Sequence, residues 1–150
     1  MGAQGRTCYG AKRECDEAVA KAIGDRSWWR KLPPYFNPKD REIEAELTKK
    51  STARGIVACN TFMATGTNGR GAMSGTALKL IALANAEHLV ELLEPYGLDV
   101  SGVGGIGTIQ DIEDYLRVGC AGVKVGTALF KSEDPRVLQH LGEDWVLVYA

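Results

Sequence analysis

Residues 102–129 read "GVGGIGTIQDIEDYLRVGCAGVKVGTAL". Within this stretch "GVGGIG" (102–107) has the formal spacing G-x-G-x-x-G of a dinucleotide-binding turn. A dinucleotide domain also requires a second strand and, about 20 residues past the turn, an acid for the ribose hydroxyl. Here the following strand, "AGVKVGTAL" (121–129), ends in Gly126 and Thr127, and the first acids beyond it are Glu133 and Asp134, in helical sequence. A nicotinamide-binding module is therefore the weaker reading. The stronger one uses both strands. Each ends in a glycine-bearing turn, Gly104–Gly105 and Gly126–Thr127, and then enters a helix. In a (β/α) barrel, adjacent turns of this kind form a phosphate site with a helix N-terminus. Without a Cβ, the main-chain amides can approach phosphate oxygens, and the helix dipole favours the negative charge.

Upstream of this stretch the pattern repeats. A helix is expected over 13–24, then the strand "SWWRKL" (27–32), stopped by Pro33 and Pro34. "NPKDREIEAELTKKS" (37–51) reads as a helix with Asn37 as cap and Pro38 in the first turn. Ile43, Ala45 and Leu47 give it only a mixed apolar face. "GIVACN" (55–60) is a continuous apolar run, the look of a strand buried on both faces. The run "TFMATGTNGRGAMSG" (61–75) reads as a long glycine-rich loop, and long ordered loops tend to be functional.

A helix follows over 76–95, with Leu78, Ile81, Leu89, Leu92 and Leu93 on its apolar face and Pro95 at its end. "LDVSGVGG" (98–105) is the next strand and turn. Thr108 and Asp111 then form a capping box for "TIQDIEDYLRVG" (108–119). Beyond the last strand, "DPRVLQHLG" (134–142) reads as helical and "EDWVLVYA" (143–150) as a short strand or packed tail. Strands alternating with helices mean a parallel sheet with right-handed crossovers. The expected fold class is α/β: one domain of about four parallel βα units, a half-barrel or partial TIM barrel.

The chain has 150 residues, formal net charge -1, 45% hydrophobic and 25% charged residues. This balance gives no electrostatic reason to expect nucleic acid or an anionic membrane as partner. No apolar run approaches a membrane span, and the first residues lack an apolar signal core. The cysteines, Cys8, Cys15, Cys59 and Cys120, show no C-x-x-C spacing, and His88 and His140 lie far apart, so no metal site is expected. Reduced thiols in the cytoplasm suit this pattern better than a disulfide framework.

Together "KLPPYF" (31–36), "ACNT" (58–61), "MSGTALKLIAL" (73–83) and the stretch 102–129 resemble, in order and spacing, the C-terminal half of dihydroorotate dehydrogenase. "KLPPYF" looks most like the soluble, cytosolic type, and the resemblance spans roughly residues 5–140. It implies an FMN-containing (β/α)8 barrel that oxidises dihydroorotate to orotate in pyrimidine biosynthesis. By resemblance, Lys31 would neutralise the electron-rich side of the reduced flavin ring and Cys59 would touch the flavin through its main chain. Gly75, Gly104, Gly105, Gly126 and Thr127 would hold FMN, mostly its ribityl phosphate arm. Asn60 and Thr61 would hydrogen-bond the pyrimidine substrate.

The sequence departs from the family in three places. Trp28 and Trp29 stand where small apolar residues are expected. Lys124, opposite in phase to Val123 and Val125, stands where the family often has a neutral Gln. A cation turned into a barrel interior there costs free energy unless paired. The family's general base, a Cys or Ser in an Asn-x-Ser-Cys-Pro-Asn loop, lies upstream of the matched region. Cys8, in "GRTCYG", has a different context, so no catalytic base is assigned. An open half-barrel exposes two sheet edges. Self-association, or pairing with a separate N-terminal half, is therefore expected. A non-catalytic FMN- or phosphate-binding remnant is the alternative to an enzyme.

Overall fold

A computed structural model describes residues 3–66, 69–134, 136–137 and 139–141. The chain opens with helix α1 (Ala3–Ile23), which starts well before the expected residue 13. Strand β1 (Trp29–Leu32) leads to helix α2 (Pro38–Lys49). Asn37 caps α2 as expected, its side chain accepting from the Lys39 amide at 3.1 Å. Strand β2 (Gly55–Ala58) is buried along its whole length.

The following segment differs from expectation. Instead of a loop it forms an antiparallel hairpin, β3 (Phe62–Gly66) with β4 (Gly69–Met73). The hairpin is largely exposed, so its residues carry no core-facing apolar alternation by which a strand pattern is recognised. A 3-10 turn (Gly75–Leu78) then leads into helix α3 (Lys79–Leu93). Pro95 lies inside a second 3-10 turn, Glu94–Tyr96, rather than at the helix end. Strand β5 (Asp99–Val103), helix α4 (Ile109–Arg117) and strand β6 (Gly122–Lys124) complete the regular units. The five-residue helix α5 (Thr127–Lys131) follows directly on the last glycine turn. Of the expected terminal helix, residues 137 and 139–141 are helical. The expected strand or tail over 143–150 and the side chain of Cys8 lie outside the described residues. No helix among the described residues is long and apolar enough to cross a membrane.

The sheet order is β1-β2-β5-β6, all parallel, which is the sequential winding of four βα barrel units. Side chains alternate across it. Arg30, Leu32, Ile56, Ala58 and Val100 face the helices, where Leu78, Ala82, Ala86, Leu89 and Leu93 cover them. Gly102 lies on the same face, under the ring of Tyr115, whose hydroxyl donates to the Gly104 carbonyl at 2.8 Å. The other face carries Trp29, Lys31, Val57, Ser101, Val103 and Lys124. Trp29 finds its space over Gly55, and the Trp28 indole donates to Thr52 Oγ1 at 3.1 Å, which accommodates the tryptophans before Lys31.

Part of the helix-facing layer is ionic. Arg30, nearly buried, donates to Glu44 Oε2 at 2.9 Å, to Thr48 Oγ1 at 2.8 Å and to the Glu44 carbonyl at 3.1 Å, and pairs with Asp16. The other oxygen of Glu44 accepts from Tyr35 at 2.7 Å and from Lys12. This cluster ties α1, β1 and α2 together. It also explains the mixed face of α2, whose buried residues are Glu44, Ala45 and Thr48.

Candidate functional site

The carboxyl ends of β1, β2, β5 and β6 open into one pocket of about 430 Å³. In parallel α/β folds this is where chemistry is placed, because helices begin there with unpaired amides. Every residue singled out in the sequence lines it: Lys31, Cys59, Asn60, Thr61, Gly75, Gly104, Gly105, Gly126 and Thr127. Ser74, Thr76, Ile106 and Lys131 line it too, and their part is not read from the sequence. Lys124, whose phase in the sequence already turns it to the interior, lines the pocket as well and pairs with Val103 on the open face.

The first glycine turn is shaped by its neighbours. Gly104 has φ 128° and Gly105 φ 71°. A Cβ on Gly105 would stand 2.5 Å from Lys79 Cβ and 2.9 Å from Lys79 Cα, so both backbone angle and close approach demand glycine. Lys79 is in turn paired with Asp111 and with Asp114, the latter at 2.7 Å. A Cβ on Gly75 would meet Thr127 Cγ2 at 3.3 Å, which brings the start of α3 against the start of α5. Gly126 is different. A Cβ there meets no protein atom, so the space beside it belongs to the pocket.

The capping box of α4 forms as expected and has a consequence for anion binding. The carboxylate of Asp111 accepts from the amides of Gly107 at 2.9 Å and Thr108 at 2.8 Å. Burial alone would raise its pKa, but Lys79 and these donors outweigh it and hold the group at about 2. The entrance of α4 therefore supplies its own anion. The amides of Gly105, Gly126 and Thr127 remain, and no described residue accepts a hydrogen bond from them.

Just past the end of β2 the Cys59 amide donates to the Val103 carbonyl at 3.0 Å and the Asn60 amide to the Leu32 carbonyl at 2.7 Å. The main-chain group Cys59 can offer a ligand is thus its carbonyl. Burial pushes the Cys59 thiol up to about 11, against the opposing charge of Lys31, so it is a neutral thiol near pH 7. Asn60 Oδ1 accepts from the Thr61 amide at 2.9 Å, which leaves its NH2 group as a donor.

Among the described residues the pocket lining includes Lys31, Lys124 and Lys131 and no carboxylate. Lys124 is exposed, so the cost expected for a buried cation does not arise. Donor amides, lysines and the absence of acids suit an anionic ligand. An elongated ligand with a phosphate at the β5–β6 turns and a polar ring toward Lys31 and Asn60 matches this donor set.

The fold and pocket define a partial (β/α) barrel whose strand-end pocket is lined by lysines and glycine turns. The family model described as dihydroorotate dehydrogenase matches residues 4–144, and the chain belongs to that family. It is 30% identical over 128 residues to the catalytic subunit of dihydroorotate dehydrogenase B (NAD(+)) of Solidesulfovibrio magneticus, covering 79% of this chain and 40% of that protein. It is 36% identical over 103 residues to the dihydroorotate dehydrogenase (quinone) of Thermus thermophilus, covering 65% and 29%. The ligand-free crystal structure of dihydroorotate dehydrogenase from Eimeria tenella superposes with a TM-score of 0.70 at 19% identity, over 80% of this chain and 34% of that one. The chain thus spans well under half the length of these relatives. Their names include two electron acceptors, so similarity alone assigns none.

Proposed function

We propose that this chain carries the flavin- and phosphate-binding half of a dihydroorotate dehydrogenase site, and that it takes FMN and a pyrimidine substrate there. The observation that carries this reading is the convergence of Lys31, Asn60 and the two glycine turns on one pocket at the strand ends, with no acid among its described lining residues. When bound, the flavin accepts the hydride equivalent lost as dihydroorotate becomes orotate. Gly105, Gly126 and Thr127 offer amides to the phosphate arm, with Gly75 and Gly104 shaping the same wall. Lys31, as a fixed cation, stabilises negative charge on the ring side it faces. Asn60 and Thr61 donate to the ring edge of the substrate. The Cys59 carbonyl meets the flavin. No described residue is assigned the role of base. The edges β1 and β6 offer main-chain groups to further strands, from a second copy or from a separate N-terminal half. The free thiols Cys15, Cys59 and Cys120 suit a reducing cytoplasm.

The test is anaerobic addition of dihydroorotate to the FMN-loaded chain. Complete but slow bleaching of the visible flavin absorbance is expected, slowed by the roughly 10²–10⁴-fold that a general base contributes. Bound flavin that never bleaches would make this a non-catalytic FMN-binding protein.

A further inference from the structure

Lys124 has no role in the reading above, yet its position is specific. It is the last residue of β6, in register with Val103, and it shares the open face of the sheet with Gly126 two residues on. It lines the pocket between the turn after β5, at Gly105, and the turn after β6, at Gly126 and Thr127. Lys31 lies on β1, the opposite edge of the sheet. Three interstrand spacings separate those edges, about 14 Å. The two ammonium groups therefore serve different parts of any ligand that spans the pocket. No described residue forms an ion pair or hydrogen bond with Lys124. The α4 acids Asp111 and Asp114 are taken by Lys79.

We propose that Lys124 is a positioning residue for the anionic end of the ligand, supplying a point charge to the phosphate that the amides of Gly105, Gly126 and Thr127 hold. This inference rests on the FMN reading and adds the residue that makes the pocket choose the phosphorylated flavin. Uncharged amides orient an anion; an ammonium beside them adds charge-assisted hydrogen bonding and makes binding salt-dependent.

FMN and riboflavin share one ring and differ in the phosphate, so they separate the two ends of the pocket. Fluorescence titrations of the full chain with each should show FMN binding far more tightly. Lys124→Gln should lower FMN affinity by roughly ten- to a hundredfold, the range a charged hydrogen bond supplies, and leave riboflavin unchanged. Lys124→Arg should restore most of the loss. In the unmutated chain, added salt should weaken FMN and leave riboflavin nearly level, a readout that needs no variant. FMN affinity that stays within about twofold in Lys124→Gln would show a merely solvated lysine and overturn the inference alone. So would equal loss for both flavins, which would place Lys124 at the ring. An unmutated chain that binds neither flavin overturns the FMN reading and this inference with it.

Discussion

Glu44→Ala is expected to destabilise the protein by about 3–5 kcal/mol, the cost of leaving a buried charge without its partner. Glu44 is only 1% exposed and Arg30 8%. Removing the carboxylate strips Arg30 of its 2.9 Å partner and leaves Tyr35 and Lys12 without a shared acceptor. Against a total of about 5–15 kcal/mol for a typical domain, this is a large fraction. Urea unfolding should show it as a lower midpoint with an unchanged slope. A second signature is pH dependence. Burial by itself raises the pKa of Glu44, but hydrogen bonds from Lys12 and Tyr35 and the charge of Arg30 outweigh it and hold it below its ordinary 4.5. The unfolded chain then binds the proton more readily than the native one. The stabilisation is complete above pH 4.5 and is lost as pH falls from there through the lower native value. Glu44→Ala should remove that share of the acid sensitivity.

Gly105→Val should damage both fold and site. The left-handed backbone costs a residue with a Cβ about 1–2 kcal/mol. Pushing against Lys79 main-chain atoms adds about 1–3 kcal/mol, since backbone cannot swing aside as a rotamer does. Thermal unfolding should register this loss, and FMN affinity should fall at least roughly tenfold because the displaced turn carries a ligand-facing amide. Gly126→Ala is the informative contrast. Its φ is -131° and its Cβ meets no protein atom, so stability should stay within about 0.5 kcal/mol while FMN affinity drops. Equal stability losses in the two variants would contradict the assignment of Gly126's free space to the ligand.

The contrast between these glycines marks what a sequence can reveal. "GIVACN" is legible as a buried strand because Gly55–Cys59 is a continuous apolar run, and "LDVSGV" because it stands between two helical segments and ends in a glycine turn. Asn37, and Thr108 with Asp111, are legible because capping is local. The glycine turns are legible because they follow strands, whereas Lys31, Cys59, Asn60 and Thr61 are singled out only by the resemblance that "KLPPYF" and "ACNT" carry; the fold brings all of them to one pocket. The hairpin over 62–73 is not, since its pairing is held by main-chain bonds between exposed glycine-rich strands. The Arg30–Glu44–Lys12 cluster is not, since its members come from separate elements up to 32 positions apart. The self-capping of α4 is visible in "TIQD", but its effect, closing one helix entrance to ligands, requires the Gly107 contact.

The most direct test of this account is an equilibrium titration of the full chain with FMN, read by quenching of flavin fluorescence. Saturable binding at one site per chain, weakened by Gly126→Ala and by Lys31→Gln, is the expected result. A folded chain that leaves FMN fluorescence unchanged at every concentration would contradict it.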